Sequence, residues 1–187
     1  MASALAQDKI YTIDDIYALP DGERAELIDG QIYYMAPPTR IHQDIAGELF
    51  GTIREYIKSN NGSCRPYVAP FAVFLNEGDK NYVEPDISVI CDPDKLHDEG
   101  CIGAPDWIIE VVSPSSRPVD YYKKLFKYWT AGVREYWIVD HERNLVTVYD
   151  FQNDSAANYP FSDDIPVGIY PGFFINLSKL DIPLSHG

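Results

Sequence analysis

Two carboxylates stand where a carboxylate is costly. Glu110 lies inside Trp107-Ile-Ile-Glu-Val-Val112, a run otherwise apolar and mostly β-branched, and Asp86 opens the run Ile87-Ser-Val-Ile-Cys91. A charged side chain in a buried strand loses its hydration and is tolerated when a cation or metal compensates it. Neighbouring strands run about 4.8 Å apart, so pairing of the two runs would bring both carboxylates together. Two hard oxygen ligands with room for water suit Mg2+ or Mn2+, and such a centre activates water for attack on a phosphodiester. The competing reading is structural: a buried glutamate satisfied by an arginine or a tyrosine hydroxyl.

Other residues could join this chemistry, each with a plainer role beside it. Glu26, in a strand-like segment, can add an acidic ligand or simply face solvent. His42, one residue past Ile41 in a long helical pattern, can touch a phosphate or an outer-shell water, or serve the helix alone. Ser113 and Ser115 flank Pro114 directly after the Glu110 run, where they can meet a phosphate or merely make a turn. Asp120 and Lys124 have the i,i+4 spacing of a surface ion pair worth about 0.2–0.5 kcal/mol. Tyr121-Tyr122 and Tyr128-Trp129 can stack on bases, but at helical spacing they read as core or dimer interface. There is no glycine-rich phosphate loop, Gly-x-Ser-x-Gly elbow or His-Glu-x-x-His motif, and His42, His97, His141 and His186 are scattered.

The elements that must position these groups are legible in outline. Thr12 with Asp15 three residues on reads as a capped helix start, closed by Pro20. Glu26 to Met35 reads as two strands joined at Asp29-Gly30, a strong hairpin signal. Ile41, Ile45, Leu49, Ile53 and Ile57 recur every four residues, the apolar face of a five-turn helix ending near Asn60-Asn61-Gly62. Tyr67 to Leu75, Ile87–Cys91 and Trp107–Val112 read as strands, and Pro118 to Thr130 as a helix before Gly132. Glu135–Asp140 and Leu145–Phe151 form a strand pair, and the tail from Pro160 reads as strand plus coil. The predicted fold class is α/β (α+β), a central mixed β-sheet flanked by helices, in one domain over 1–187.

Composition sets the outer limits. The chain has 187 residues, 45% hydrophobic, with 15 Lys and Arg against 29 Asp and Glu, a net charge of −14. That excludes a generic basic nucleic-acid coat and a polybasic membrane binder. The acidity is uneven: residues 117 to 143 hold six cations and four acids, so this stretch is expected to face phosphates. Three cysteines without Cys-x-x-Cys spacing predict reduced thiols rather than a disulfide framework or zinc site. With neither a signal-like N-terminus nor a membrane-length apolar run, the expectation is a cytoplasmic protein without a membrane partner.

Pro85-Asp86, followed 24 positions later by Glu110-Val111-Val112, resembles the bipartite Pro-Asp … (Asp/Glu)-x-Lys motif of the restriction-endonuclease-like superfamily. The chain from about residue 10 to 182 is similar to the Uma-type restriction endonuclease family. The resemblance is carried by Glu26-Leu-Ile-Asp-Gly30, Met35-Ala-Pro-Pro38 with His42 following, Glu84-Pro-Asp-Ile-Ser88 and Pro105-Asp106. It continues through Ile109-Glu-Val-Val-Ser-Pro-Ser115, Asp120-x-x-x-Lys124-x-x-x-Tyr128 and Gly132-Val-Arg-Glu-Tyr-Trp-Ile-Val-Asp140. It implies a restriction-endonuclease-like core with Asp86 and Glu110 as ligands of Mg2+ or Mn2+ and the Val111 carbonyl as a further ligand. Val112 occupies the superfamily's lysine position, and the resemblance implies that Lys124 supplies that lysine from the next helix, while Asp120 stays a surface partner. The expected catalytic set is Asp86, Glu110, Lys124, Glu26 and His42, acting on nucleic acid with DNA as the expected substrate and RNA left open. A homodimer is expected because symmetric dimers are the commonest soluble assemblies. The alternatives are a nuclease-fold binding or assembly protein with little activity, and a metal-free carboxylate-pair hydrolase acting on sugars.

Overall fold

The computed structural model describes residues 9–76, 78–114 and 116–183; Ser115 and His186 lie outside them. Helix α1 (Ile13–Tyr17) starts as predicted, the Asp15 carboxylate accepting from the Thr12 amide at 2.9 Å and its hydroxyl at 3.2 Å. Strands β1 (Ala25–Ile28) and β2 (Gln31–Tyr34) form the predicted hairpin. Asp29 and Gly30 both have positive φ, +50° and +74°, which a two-residue hairpin turn of type I′ requires.

Helix α2 (Arg40–Ser59) buries Ile45, Ala46, Leu49, Ile53 and Ile57, the predicted face, each large side chain contributing about 1.5–3 kcal/mol. Its Thr39 cap accepts from the His42 amide at 3.3 Å. Then come β3 (Arg65–Val68), β4 (Val73–Phe74), β5 (Ile87–Ile90), β6 (Leu96–His97), β7 (Gly100–Ile102) and β8 (Trp107–Val111). A π-helical turn over Val119–Lys124 runs into α3 (Leu125–Ala131), which ends at Gly132 in the left-handed region. Strands β9 (Glu135–Asp140), β10 (Leu145–Asp150), β11 (Ser155–Pro160), β12 (Ile165–Pro166) and β13 (Phe174–Ile175) follow.

The central sheet has six strands in the order β11-β10-β9-β8-β5-β3, and it is mixed: β8–β9 is parallel and the other pairs are antiparallel. A parallel pair needs a crossover, which the π-turn and α3 supply. Side chains alternate between the faces of a strand. Trp107, Ile109 and Val111 pack towards α2, while Ile108, Val112, Tyr136 and Ile138 pack with Tyr128 of α3. Glu110, between Ile109 and Val111, therefore points to the α3 side.

Three sequence expectations need correcting. Tyr67 to Leu75 is not one strand: it breaks around Ala69-Pro70, and its two parts join different sheets. The segment from Pro118 is not a single α-helix but begins with the π-turn. Strand β11 lies in a segment to which the sequence assigns no element; its small and polar residues carry no apolar alternation. The cysteines do not all stay reduced: Cys64 and Cys91 form a disulfide, and Cys101 is free and buried. The reason is register. Arg65 pairs with Ile90 in antiparallel β3–β5, so the residues just beyond them face each other, with Cα atoms 3.9 Å apart. No helix among the described residues is long and apolar enough to cross a membrane.

Candidate active site

The site forms at the end of β5 and β8. Ile87 pairs with Ile109 in antiparallel register, so the residue before one strand faces the residue after its partner: Asp86 meets the Glu110–Val111 segment. Asp86 Oδ2 accepts from the Val111 amide at 2.7 Å, and Asp86 Oδ1 lies 2.8 Å from His42 Nε2 in the first turn of α2. The two runs thus pair as expected, and His42 is a partner of Asp86. A strand residue points its N–H and C=O to the same edge, so the Val111 carbonyl faces the Asp86 side of β8.

Glu110 is gripped by one oxygen. Its Oε1 accepts from the Tyr128 hydroxyl at 2.8 Å and lies 2.9 Å from Lys124 Nζ. Lys124 also lies 2.7 Å from Glu26 Oε2 and 3.4 Å from Asp120 Oδ1. Glu26 is fixed by its other oxygen, which accepts from the Glu84 amide at 3.0 Å. Behind it, Glu84 holds Arg24 and accepts from the Tyr82 hydroxyl at 2.6 Å. Tyr128 packs edge-on against Tyr136 at 4.9 Å, and the Tyr136 hydroxyl donates to the Asp120 carbonyl at 3.2 Å.

Glu26, Glu110, Asp120 and Lys124 are all at most 5% exposed, which gives their charges little screening. Burial pushes Glu110 well above the usual carboxylate range; Lys124 opposes this, and Asp120, Asp86 and Glu26 reinforce it. Burial alone would pull Lys124 down, but Glu110, Glu26 and Asp120 outweigh it and hold the ammonium well above its ordinary value. Asp120 is raised, by burial first, against the pull of Lys124 and Ser116. Burial, then the Glu110 charge, keeps the Tyr128 hydroxyl a donor.

Asp86, Glu110, Lys124, Glu26 and His42 are therefore brought together in one linked cluster. Two further members lie outside the expected catalytic set. Asp120 is not a surface partner; it is 3% exposed and shares Lys124. Tyr128 is core, as expected, and also donates to Glu110. The signal for both is the four-residue spacing of Asp120, Lys124 and Tyr128, which stacks them along one side of a helix. Among the described residues, no three or more His, Cys, Asp or Glu side chains are arranged as a metal cage.

The basic stretch is less free than its composition suggests. Arg117 grips Asp140 and Glu142, Lys127 holds Asp29, Arg134 holds Asp106, and Arg143 lies 3.6 Å from Asp140. Among the described residues, Lys123 alone of the stretch's six cations has a neutral partner, the Tyr33 hydroxyl. Of the paired aromatics, Tyr128 is buried, whereas Tyr122 and Trp129 are exposed beside Phe126 around an open apolar hollow.

Known proteins are similar to this chain in sequence or in fold. The chain is 28% identical over 145 residues to "Uncharacterized protein slr1290" of Synechocystis sp., covering 75% of each. Its fold is similar to that of a crystal structure from Anabaena variabilis described as "a putative nuclease belonging to DUF820". That match has a TM-score of 0.72 and 22% identity, and covers 89% of this chain and 95% of the other. The family model described as "Putative restriction endonuclease" matches residues 13–178, a span containing every member of the cluster built above, and the chain belongs to that family, Uma2.

Proposed function

We propose that this protein is a divalent-metal-dependent endonuclease that hydrolyses DNA phosphodiester bonds. The observation carrying the reading is that Lys124, from the helix after β8, lies against Glu110 while Asp86 meets the same strand end. A carboxylate pair and a lysine are thus collected although Val112 occupies the in-strand lysine position. The donor set fits a hard cation. Three carboxylates, Glu26, Glu110 and Asp120, contact one buried ammonium, Asp86 adds a fourth negative charge nearby, and their mutual repulsion is what a divalent ion relieves. Mg2+ characteristically takes one or two carboxylates and keeps several waters, so a pair of side chains suffices.

Asp86 and Glu110 would hold the ion, with the Val111 carbonyl on the same side. Bound there, Mg2+ or Mn2+ would lower the pKa of a coordinated water and polarise the phosphate. The chain's own groups prepare the site. His42 and the Val111 amide orient Asp86, and Tyr128 orients Glu110. Glu26 and Asp120 keep Lys124 charged, so that it can stabilise negative charge developing on the phosphate. Cutting both strands calls for two such sites, so the reading includes a homodimer, to be checked by sedimentation velocity.

The test is cleavage of supercoiled plasmid DNA in Mg2+ or Mn2+ by wild type, Asp86→Asn, Glu110→Gln and Lys124→Met, alongside calorimetric titration with Mn2+. The expected result is metal-dependent nicking lost in both carboxylate variants, with Mn2+ binding lost in parallel. Cleavage surviving both changes would overturn the reading, and so would a wild type that neither binds Mn2+ nor cuts, the behaviour of a binding or assembly protein.

A further inference from the structure

Three contacts tie the lysines of the helical segment to the β1–β2 hairpin: Lys123 to the Tyr33 hydroxyl, Lys124 to Glu26 and Lys127 to Asp29. Two of them are salt bridges that cancel charge. The third is different. Tyr33 is neutral, and the Lys123 ammonium sits 4.8 Å from its ring centroid. Among the described residues Lys123 has no carboxylate partner, unlike every other cation between residues 117 and 143. Its charge is therefore uncompensated in an otherwise acidic protein.

Its place matters as much as its charge. Lys123 is adjacent in the chain to Lys124. Tyr33 is the register partner of Glu26 in the hairpin, and directly opposed residues in an antiparallel pair carry their side chains on the same face. Glu26 uses that face to reach Lys124. Lys123 and Tyr33 thus flank the Glu26–Lys124 contact, the ammonium exposed and the ring half-buried. An ammonium has three N–H donors. The hydroxyl takes one, leaving two for a phosphate.

We infer that Lys123, held against Tyr33, is a substrate-binding subsite that takes a backbone phosphate of the nucleic acid next to the one being cut. The inference rests on the nuclease reading and adds to it a residue that binds without taking part in bond breaking. Tyr33 fixes the ammonium beside the Glu26–Lys124 contact without neutralising it, which an acidic partner would do.

The experiment compares wild type, Lys123→Gln and Lys123→Arg for binding of a fluorescein-labelled DNA duplex of about three helical turns by anisotropy across a salt series, and for Mg2+-dependent cleavage. Glutamine keeps a donor for Tyr33 and removes the charge; arginine keeps both. The expected result for Lys123→Gln is affinity weaker by roughly fivefold to tenfold and a salt slope shallower by about 0.9, the value for one lost phosphate contact. KM should rise with kcat unchanged, and Lys123→Arg should restore wild-type behaviour. A merely structural tie would leave the salt slope untouched in Lys123→Gln, and that result overturns the subsite. If wild type cuts and Lys123→Gln matches it in KM and slope, only this inference falls. If wild type neither binds nor cuts the duplex, the nuclease reading falls with it.

Discussion

Lys124 Nζ lies 2.9 Å from Glu110 Oε1 and 2.7 Å from Glu26 Oε2, so one ammonium bridges the central sheet and the N-terminal hairpin. Glu26 and Lys124 are remote from each other in the chain. Each is at most 5% exposed, and breaking a buried pair by removing one partner costs more than the pair's net worth. Lys124→Met should therefore lower unfolding free energy by about 3–5 kcal/mol. Adding Glu110→Gln should recover part of it, because one of the stranded charges is then gone. Urea denaturation of the two variants checks this, and a double variant less stable than the single would count against the charge argument.

Tyr128 holds Glu110 through a single hydrogen bond to a carboxylate, and such bonds contribute about 1.5–3 kcal/mol. Tyr128→Phe keeps the ring against Tyr136 and removes only the donor. Stability should fall by an amount near the lower end of that range. Cleavage should slow through kcat, with KM little changed, since the hydroxyl orients Glu110 and does not reach substrate. Steady-state kinetics separate the two, and a change confined to KM would contradict the assignment.

Glu135 gives a pH test away from the site. Its carboxylate accepts from the Trp137 indole at 2.6 Å and the Ile169 amide at 2.9 Å, yet burial outweighs these bonds and raises its pKa above the ordinary 4.5. The folded state thus holds this proton more tightly than the unfolded chain. Its contribution is fully present below about pH 4.5 and is lost as pH rises through the raised value. Glu135→Gln cannot titrate, so its melting temperature should depend less on pH than the wild type's from about pH 4.5 upwards. Parallel curves for the two proteins would refute this.

Cys64 and Cys91 close a loop 27 residues apart. On the chain-entropy account this contributes about 3.5 kcal/mol. Reducing agent, or Cys64→Ser with Cys91→Ser, should lower the denaturation midpoint by a corresponding amount. The bond lies at the far end of β5 from Asp86, so metal-dependent cleavage should survive under conditions where the reduced protein remains folded.

Local periodicity and backbone preference account for the every-fourth-residue apolar stripe of α2, the Asp-Gly turn and the apolar β8 run, all legible in the sequence. Glu110 is conspicuous for a related reason, a charge inside an apolar pattern. Cys64 and Cys91 show the limit: 27 residues of spacing say nothing of pairing until the register of β3 and β5 is known. β11 shows another limit, since its exposed Ser-Ala-Ala-Asn-Tyr-Pro sequence has no alternation to find and becomes a strand by pairing with β10.

Residue type and burial cost are local properties, and from them alone the sequence marks Asp86 and Glu110 as charges carried into apolar runs. It likewise marks the segment richest in cations, with Lys124 among them. What those charges do is a matter of three-dimensional packing. Antiparallel pairing of β5 with β8 sets Asp86 against Val111, and the crossover demanded by parallel β8 and β9 brings the Lys124 helix over Glu110. The same packing buries Asp120 and, among the described residues, occupies all but one of the segment's cations with acids, leaving Lys123 against the neutral Tyr33. Charge is written residue by residue, but compensation depends on distance, and distances between remote segments are set by sheet register and packing.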